Sequence, residues 1–510
     1  MTVHNARKWW ALGALNLAVL AVGLPVTMLN VALPTLAGAL RASASDLQWF
    51  VAAFLLALAA GLLPAGALGD LVGRKRMLVA ALTVYGAGSV AAAFAPSPTV
   101  FVAAQALLGL AAGFVIPLVL STLAVLFTAA ERPRAVGIWA AANFVAMPLG
   151  PIVGGWILSQ YWWGWIFLVN LPVVALAVIA AITLLPESRS TERPGLDPLG
   201  VMSSSGGLVL LTYGTIRAGQ DGWTTTGAIL AMAAGLLLLI AFVLWQLRLT
   251  RHPLGRPLLD LGLFLSRPFT GGALLQGLAG FVFFGLLFAA PQYFQVVLGT
   301  DAMGSGVRLL SLLVAVVAGS VLADRIAARI GARLTLAAGF ALLAGSLASG
   351  AATTSAASGY GPVAAWMVCA GIAAGLAFAT SSATALAAVS AERAGTGSAT
   401  IQAIQKISAP LSAAILGSAL NAGYRNALPS SEADAIRESV FAGLAVAEGK
   451  APLLATIRAA FIQGLDSLLW IAAGAAAAGV ILALIVLPRR VIADPGAFTS
   501  PTSPQKIPNG

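Results

Sequence analysis

Gly66-Ala-Leu-Gly-Asp70-Leu-Val-Gly73-Arg74-Lys75-Arg76-Met-Leu78 interrupts two long apolar runs with one acid and three consecutive bases. Four charges are too costly to leave in lipid, so the segment is a short aqueous loop between two helices. Its bases place that loop on the cytoplasmic side. Gly66 and Gly73 permit a tight reversal and close packing. Working outward, apolar segments of 17–25 residues recur on both sides of the loop, each long enough to cross a bilayer.

The composition agrees with that pattern. Of 510 residues, 59% are hydrophobic and 9% charged, and mean hydropathy is +0.94. A soluble domain carries roughly a quarter charged residues, so the class is integral membrane. The net charge of +11 would suggest nucleic acid in a soluble protein, but here the bases lie at helix ends and act as orientation signals. The run from Trp10 to Pro34 is too long for a signal-peptide core. One cysteine, Cys369, allows no internal disulfide, and two histidines form no metal or triad pattern. No catalytic motif is present, and neither cofactor nor metal is expected.

Fourteen spans are expected: 10–34, 47–68, 77–96, 99–126, 135–157 and 165–185; then 199–216 and 226–247; then 269–290, 304–323, 334–353, 361–388, 396–420 and 463–487. With the N-terminus inside, 20 of the 28 Lys and Arg residues are cytoplasmic, seven lie outside, and Lys406 falls within a helix. Only this orientation satisfies the positive-inside bias, so both termini are cytoplasmic. The fold expected is all-α: an N-terminal six-helix bundle (1–186), a linker with two extra transmembrane helices (187–268), a C-terminal six-helix bundle (269–490) and a disordered cytoplasmic tail (491–510). The outer connection 421–461 carries apolar residues at helical spacing over 431–444, which predicts a short amphipathic surface helix. A faint echo of the charged loop, Ala-Asp-Arg-Ile-Ala-Ala-Arg-Ile-Gly-Ala-Arg at 323–333, follows the second helix of the second bundle and hints at a transporter repeat.

Several motifs then carry a resemblance. Gly66–Lys75 is similar to the loop between the second and third helices of the major facilitator superfamily. Pro148-Leu-Gly150-Pro151-Ile-Val-Gly154-Gly155 resembles the fifth-helix motif of its antiporters. Asn30-Val-Ala-Leu-Pro34, Leu47-Gln-Trp49 and Trp165-Ile-Phe-Leu-Val-Asn170-Leu-Pro172 resemble its fourteen-helix drug:proton antiporter branch. The resemblance implies a multi-pass transporter of the cytoplasmic membrane that exports amphipathic, antibiotic-like molecules by alternating access with proton antiport. It also implies that Gly66, Asp70, Gly73 and Arg74 form a conformational latch. Asp70 would accept hydrogen bonds at the start of the penultimate helix, Gly395-Thr396-Gly397-Ser398, where the helix dipole favours an anion. In the fifth helix Gly150 and Gly154 share a face, and Pro148 and Pro151 each remove a backbone donor. Such a helix suits a rocking interface, the reading the resemblance supports, and also serves ordinary tight packing. Gly109–Gly113 in the fourth helix is read as packing alone.

The chain departs from that branch at two positions. Pro25 stands where an aspartate is usual, and Gln105-Ala-Leu-Leu108 replaces an arginine followed three residues later by glutamine. Proton coupling through those residues is therefore in doubt, and a proton-independent facilitator or a lipid or hydrophobic-metabolite transporter is the alternative. The remaining substrate-binding or coupling candidates are Asn30, Gln105, Asn143, Tyr293, Gln402, Lys406 and Asp466. Lys406 and Gln402 share one helix face, and a lysine at that depth should face a cavity or a partner. The expected partners are a small amphipathic or hydrophobic substrate, protons and membrane lipid, with no nucleic acid, and the protein is expected to be a monomer.

Overall fold

The computed structural model describes residues 2–127, 131, 135, 138, 149–188, 197–251, 261–389, 394–429, 436–437, 439–447 and 450–487. Asn143, Pro148 and the tail 491–510 lie outside the described residues, as do the side chains of Gly66 and Asp70. Fourteen helices correspond to the expected spans: α1 (Thr2–Leu40), α2 (Ala44–Val72), α3 (Arg74–Ala93), α4 (Pro98–Leu126), α5 (149–160), α6 (Trp165–Leu184), α7 (Pro198–Asp221) and α8 (Thr226–Arg251), followed by α9 (Arg267–Val296), α10 (Ala302–Ile330), α11 (Ala332–Thr353), α12 (Tyr360–Leu386), α13 (Ala394–Ala427) and α14 (Ala451–Val486). Thirteen are long and apolar enough to cross a membrane; α5 is described only over its outer portion.

Local chemistry sets the helix ends. Ser43 and Asp46 form a reciprocal capping box at α2, Ser97 caps α4, and Asp301 caps α10. Gly73 (φ 120°) and Gly331 (φ 84°) make the single-residue turns α2–α3 and α10–α11, in a region disfavoured for other residues. Most helices run past their expected ends: α1 covers 2–40 rather than 10–34, and α2 reaches Val72 with α3 starting at Arg74, so the charged 66–78 stretch is helical on both sides of Gly73. Two further differences concern the outer side. The last helix begins at Ala451 rather than near 463, because Pro452 at its first turn favours initiation and 453–462 continues the apolar pattern. The described outer helix is Val440–Val446, capped by Ser439, while 431–435 lie outside the described residues.

The two halves are built alike. In α4, Gly109-Leu-Ala-Ala-Gly113 packs on α2: a Cβ on either glycine would run into the carbonyl oxygen of Phe54 or Leu58, and one on Gly61 would lie 2.8 Å from Leu110 O. In α12, Gly371-Ile-Ala-Ala-Gly375 does the same to α10, where a Cβ on Gly371 would lie 2.5 Å from Leu312 O and one on Gly375 would strike Val316 O. Small residues let these backbones touch without any larger side chain to fill the crossing. The inner turns match as well. Lys75 donates to Ile182 O (2.6 Å) at the end of α6, and Arg333 donates to Leu484 O at the end of α14. Each base satisfies a carbonyl that the helix end leaves unpaired.

The apolar core divides into one cluster centred on α1–α4 and α6 and another on α9–α14, with Phe288, Ala409 and Ala413 reaching from the second half into the first. α7 lies across the seam between α2 and α13. Leu208 packs with Ala52 and Leu56, and Ser418 donates to Thr215 O at 3.1 Å. α8 packs on α7 and exposes Leu230, Leu237 and Leu244, seven residues apart on one face. Only lipid makes such a stripe favourable.

A buried carboxylate joins that helix pair. Asp197 accepts from Gly200 N (2.8 Å), Trp245 Nε1 (2.8 Å) and Gln246 Nε2 (2.7 Å), so α7's start is tied to α8's end. Gly200 leaves the space, since a Cβ there would lie 2.6 Å from Gln246 Nε2. Asp197→Ala should strand three donors and cost about 2–3 kcal/mol in the hairpin. Thermal unfolding of the purified protein, followed against Asp197→Asn, checks this.

Candidate functional site

The described contacts across the seam cluster in the outer halves of the helices. Gln295 Nε2 donates to Val31 O (3.1 Å), linking α9 to α1, and Ser418 lies 3.4 Å from Gln48 Oε1, linking α13 to α2. α5 is wedged between the bundles. Gly150 and Gly154 face α1, where added Cβ atoms would meet Thr27 and Met28. The neighbouring face meets α10: a Cβ on Gly155 would lie 2.7 Å from Met303 Cα, and one on Gly306 would collide with Pro151 O. The expected i,i+4 glycine pair thus packs within its own bundle, and Pro151 and Gly155 make the contact between bundles.

On the inner side, the Gly73 turn and the start of α3 dock close to the end of α6 and on α4. Arg74 N donates to Ser188 O (3.0 Å), Arg74 Nη1 approaches Ser121 O (3.4 Å), and Arg76 pairs with Glu187 at 3.5 Å. A Cβ on Gly73 would run into the Glu187 carboxylate. Lys8 at the start of α1 pairs with Glu131 beyond α4. Gly397, in the segment expected to receive Asp70, packs near Val389 and Phe269 of the second bundle.

Two cavities adjoin the seam helices. One, about 20 Å³, lies beneath the outer helix and is lined by Leu47 and Gln48, by Phe288 and Gln292, by Gly417, Asn421 and Tyr424, and by Ser439 and Phe441. The other, about 10 Å³, lies within the first bundle between Pro25, Val26, Leu29, Val51, Phe54, Leu55, Tyr85, Gln105 and Leu108.

The expected site residues fall in different places. Gln105 lines the cavity of the first bundle. Asn30 is buried nearby and donates to Val26 O (3.0 Å) of its own helix, which uses one of its two amide N–H groups. Tyr293 is buried in the second core against Phe294, its hydroxyl without a hydrogen-bond partner. Gln402 and Lys406 are half-buried on α13, and no carboxylate among the described residues pairs with Lys406. Asp466 is half-buried on α14 with one carboxylate oxygen enclosed and unpartnered. These five are not gathered with Gln105 into one described pocket. Sequence reasoning passed over Tyr85, Gln48 and Gly306. Tyr85 offers no motif, although a lone tyrosine in an Ala- and Val-rich helix is itself a polar group needing a partner.

The Major Facilitator Superfamily profile matches residues 15–413, well over half the chain. The tetracenomycin C resistance and export protein of Streptomyces glaucescens is 29% identical over 84% of this chain and 79% of its own length. The multidrug efflux pump LfrA of Mycolicibacterium smegmatis is 36% identical over 61% of each chain. Among solved structures, an inward-facing, unoccupied bacterial homologue of the human lysosomal transporter Spinster superposes with a TM-score of 0.65 at 16% identity, covering 94% of this chain and 97% of that one. With the repeated two-bundle architecture and the glycine-lined seam, these likenesses show that the chain belongs to the Major Facilitator Superfamily, as a multi-pass membrane transporter rather than an enzyme.

Proposed function

We propose that this transporter exports amphipathic, drug-like molecules across the cytoplasmic membrane by rocking two bundles about a central cleft, using proton antiport. The observation that carries the proposal is the seam itself. Among the described residues it is made of small residues against backbone at Gly155–Met303 and Gly306–Pro151 and of few hydrogen bonds, in the outer halves. Such a seam can separate without stranding many polar groups, whereas each bundle is held internally by glycine–backbone crossings. Closure at the outer end corresponds to the state open to the inside. The names of the relatives, resistance and efflux proteins, supply the direction and substrate class.

Lys406 is the leading coupling residue, because a lysine within a membrane span with no ion pair among the described residues marks a functional position. Lys406→Ala should lower gradient-driven flux by about tenfold, the equivalent of 1.4 kcal/mol. Asp301→Ala should do much less. Its carboxylate accepts from Gly304 N (2.7 Å) as a helix cap, a role worth about 1 kcal/mol of stability. Flux in proteoliposomes with and without an imposed pH gradient checks both variants. A second reading, a facilitator needing no proton, is favoured by the neutral Pro25 and Gln105. Gradient-indifferent flux of the unmodified protein would establish it.

A further inference from the structure

The inserted helices α7 and α8 form one rigid body. A Cβ on Gly235 would lie 2.6 Å from Leu211 N and one on Gly214 2.8 Å from Met232 N, so the two helices touch backbone to backbone. Asp197 ties their inner ends, and Arg217 pairs with Asp221 (2.9 Å) beside the outer turn. Through α7 this body touches both bundles. On α2, Leu208 packs with Ala52 and Leu56, and the Tyr213 ring lies 6.4 Å from that of Trp49. On α13, the buried Ser418 donates to Thr215 O at 3.1 Å. A helical side chain leans toward the N-terminus and covers the turn before it. Gly219 has none, which leaves the Thr215 carbonyl open to Ser418. A Cβ on Gly219 would run into the Ser418 side chain and lie 2.8 Å from its Cα. The Ser418 hydroxyl has a single proton and a second acceptor in reach, Gln48 Oε1 of α2 at 3.4 Å. Helices from the first bundle, the insertion and the second bundle thus meet on one small side chain.

We propose that α7 is a third wall of the outer gate, with Ser418 as its positioning residue: the inserted hairpin clamps α2 to α13 and sets how much of the protein is closed at its outer end. The clamp rests on the rocking of the two bundles proposed for this transporter. Two helices that both hold a rigid α7 cannot part until α7 releases one of them. The fit between Gly219 and Ser418 therefore stabilises the outer-closed state and has no counterpart in the outer-open one.

The test uses the full-length protein in lipid nanodiscs, in a Cys369→Ser background. Spin labels go on cysteines replacing Thr99, exposed at the outer start of α4, and Ala357, exposed in the outer connection after α11. Pulsed electron–electron resonance reads their separation. Gly219→Ala should raise the ratio of long to short separations on the order of tenfold, because Ser418 can yield only by moving away. Ser418→Ala overpacks nothing and loses one hydrogen bond, so it should raise the ratio about threefold. Adding Ser418→Gly to Gly219→Ala removes the colliding Cβ and Oγ and should recover part of the closed population. Gly206→Ala is the control in the same helix: its added Cβ meets only Leu238 Cδ1, at 3.6 Å, and the separations should not change. Gly155→Leu opens the outer end at a contact that the hairpin does not share. Labels that move in Gly155→Leu but in neither Gly219→Ala nor Ser418→Ala overturn the clamp and keep the rocking. Labels that move as far in Gly206→Ala as in Gly219→Ala also overturn the clamp. Labels that stay in place in every variant, Gly155→Leu included, remove the rocking itself and the clamp with it.

Discussion

Gly109→Leu is expected to leave almost no folded transporter in the membrane. A side chain at 109 is driven into the Phe54 carbonyl oxygen, and one turn on Gly113 meets Leu58 O in the same way. Backbone cannot swing aside as a side chain can, so α2 and α4 must part along their length. The cost should exceed the usual 1–3 kcal/mol of overpacking, a large share of a marginal stability. Gly375→Leu should be as severe, because α12 and α10 repeat the crossing at Val316 O. Gly345→Leu provides the contrast: nothing lies within 4 Å of the added Cβ. Yields of monodisperse protein after size-exclusion chromatography measure all three. A normal yield for Gly109→Leu would mean that the crossing does not hold the bundle together.

Gly155→Leu should give the opposite phenotype: normal yield with flux nearly abolished. Its Cβ would lie 2.7 Å from Met303 Cα and 2.8 Å from Ala302 O, both in the other bundle. Each bundle keeps its own packing, but the outer end can no longer close. A penalty of about 3 kcal/mol on that state moves its population roughly a hundredfold, which is enough to stall a cycle that must pass through it. Gly154 is adjacent in sequence but faces Met28 of its own bundle, with Met28 Cβ 3.1 Å from an added Cβ. Gly154→Ala should therefore trouble packing within the first bundle and leave closure alone. Flux per folded molecule separates the two variants.

Much of this architecture was legible in the sequence because bilayer thickness, hydropathy and the charge on short loops leave little freedom. Thirteen described spans fall where apolar runs of sufficient length occur, and the Gly73 turn sits in the charged loop. The repeat could have been read more firmly. Gly-Leu-Ala-Ala-Gly at 109–113 and Gly-Ile-Ala-Ala-Gly at 371–375 are the same word in matching helices, yet only the weaker loop echo was used. Asp197, a single acid before a proline in a charged linker, looks solvated from sequence. Its donors lie 48 and 49 residues away, and tertiary structure alone brings them together. The face of α5 that meets the other bundle was equally hidden. Gly150 and Gly154 point one way and Gly155 another, and periodicity alone does not say which direction is the seam. Tyr85 and Gln105 illustrate the same limit for the site. Each is unremarkable in its own helix, and only their placement on one cavity makes them a pair.

The central claim is that two cohesive bundles must separate at their outer ends for transport. Gln48 and Ser418 face each other across that seam at 3.4 Å, so paired cysteines there, in a Cys369→Ser background, can be bridged by a short bifunctional thiol reagent. Substrate flux in proteoliposomes should stop on bridging and recover when a reducible bridge is cleaved. Flux that continues at the unbridged rate through a fully bridged protein would contradict the account.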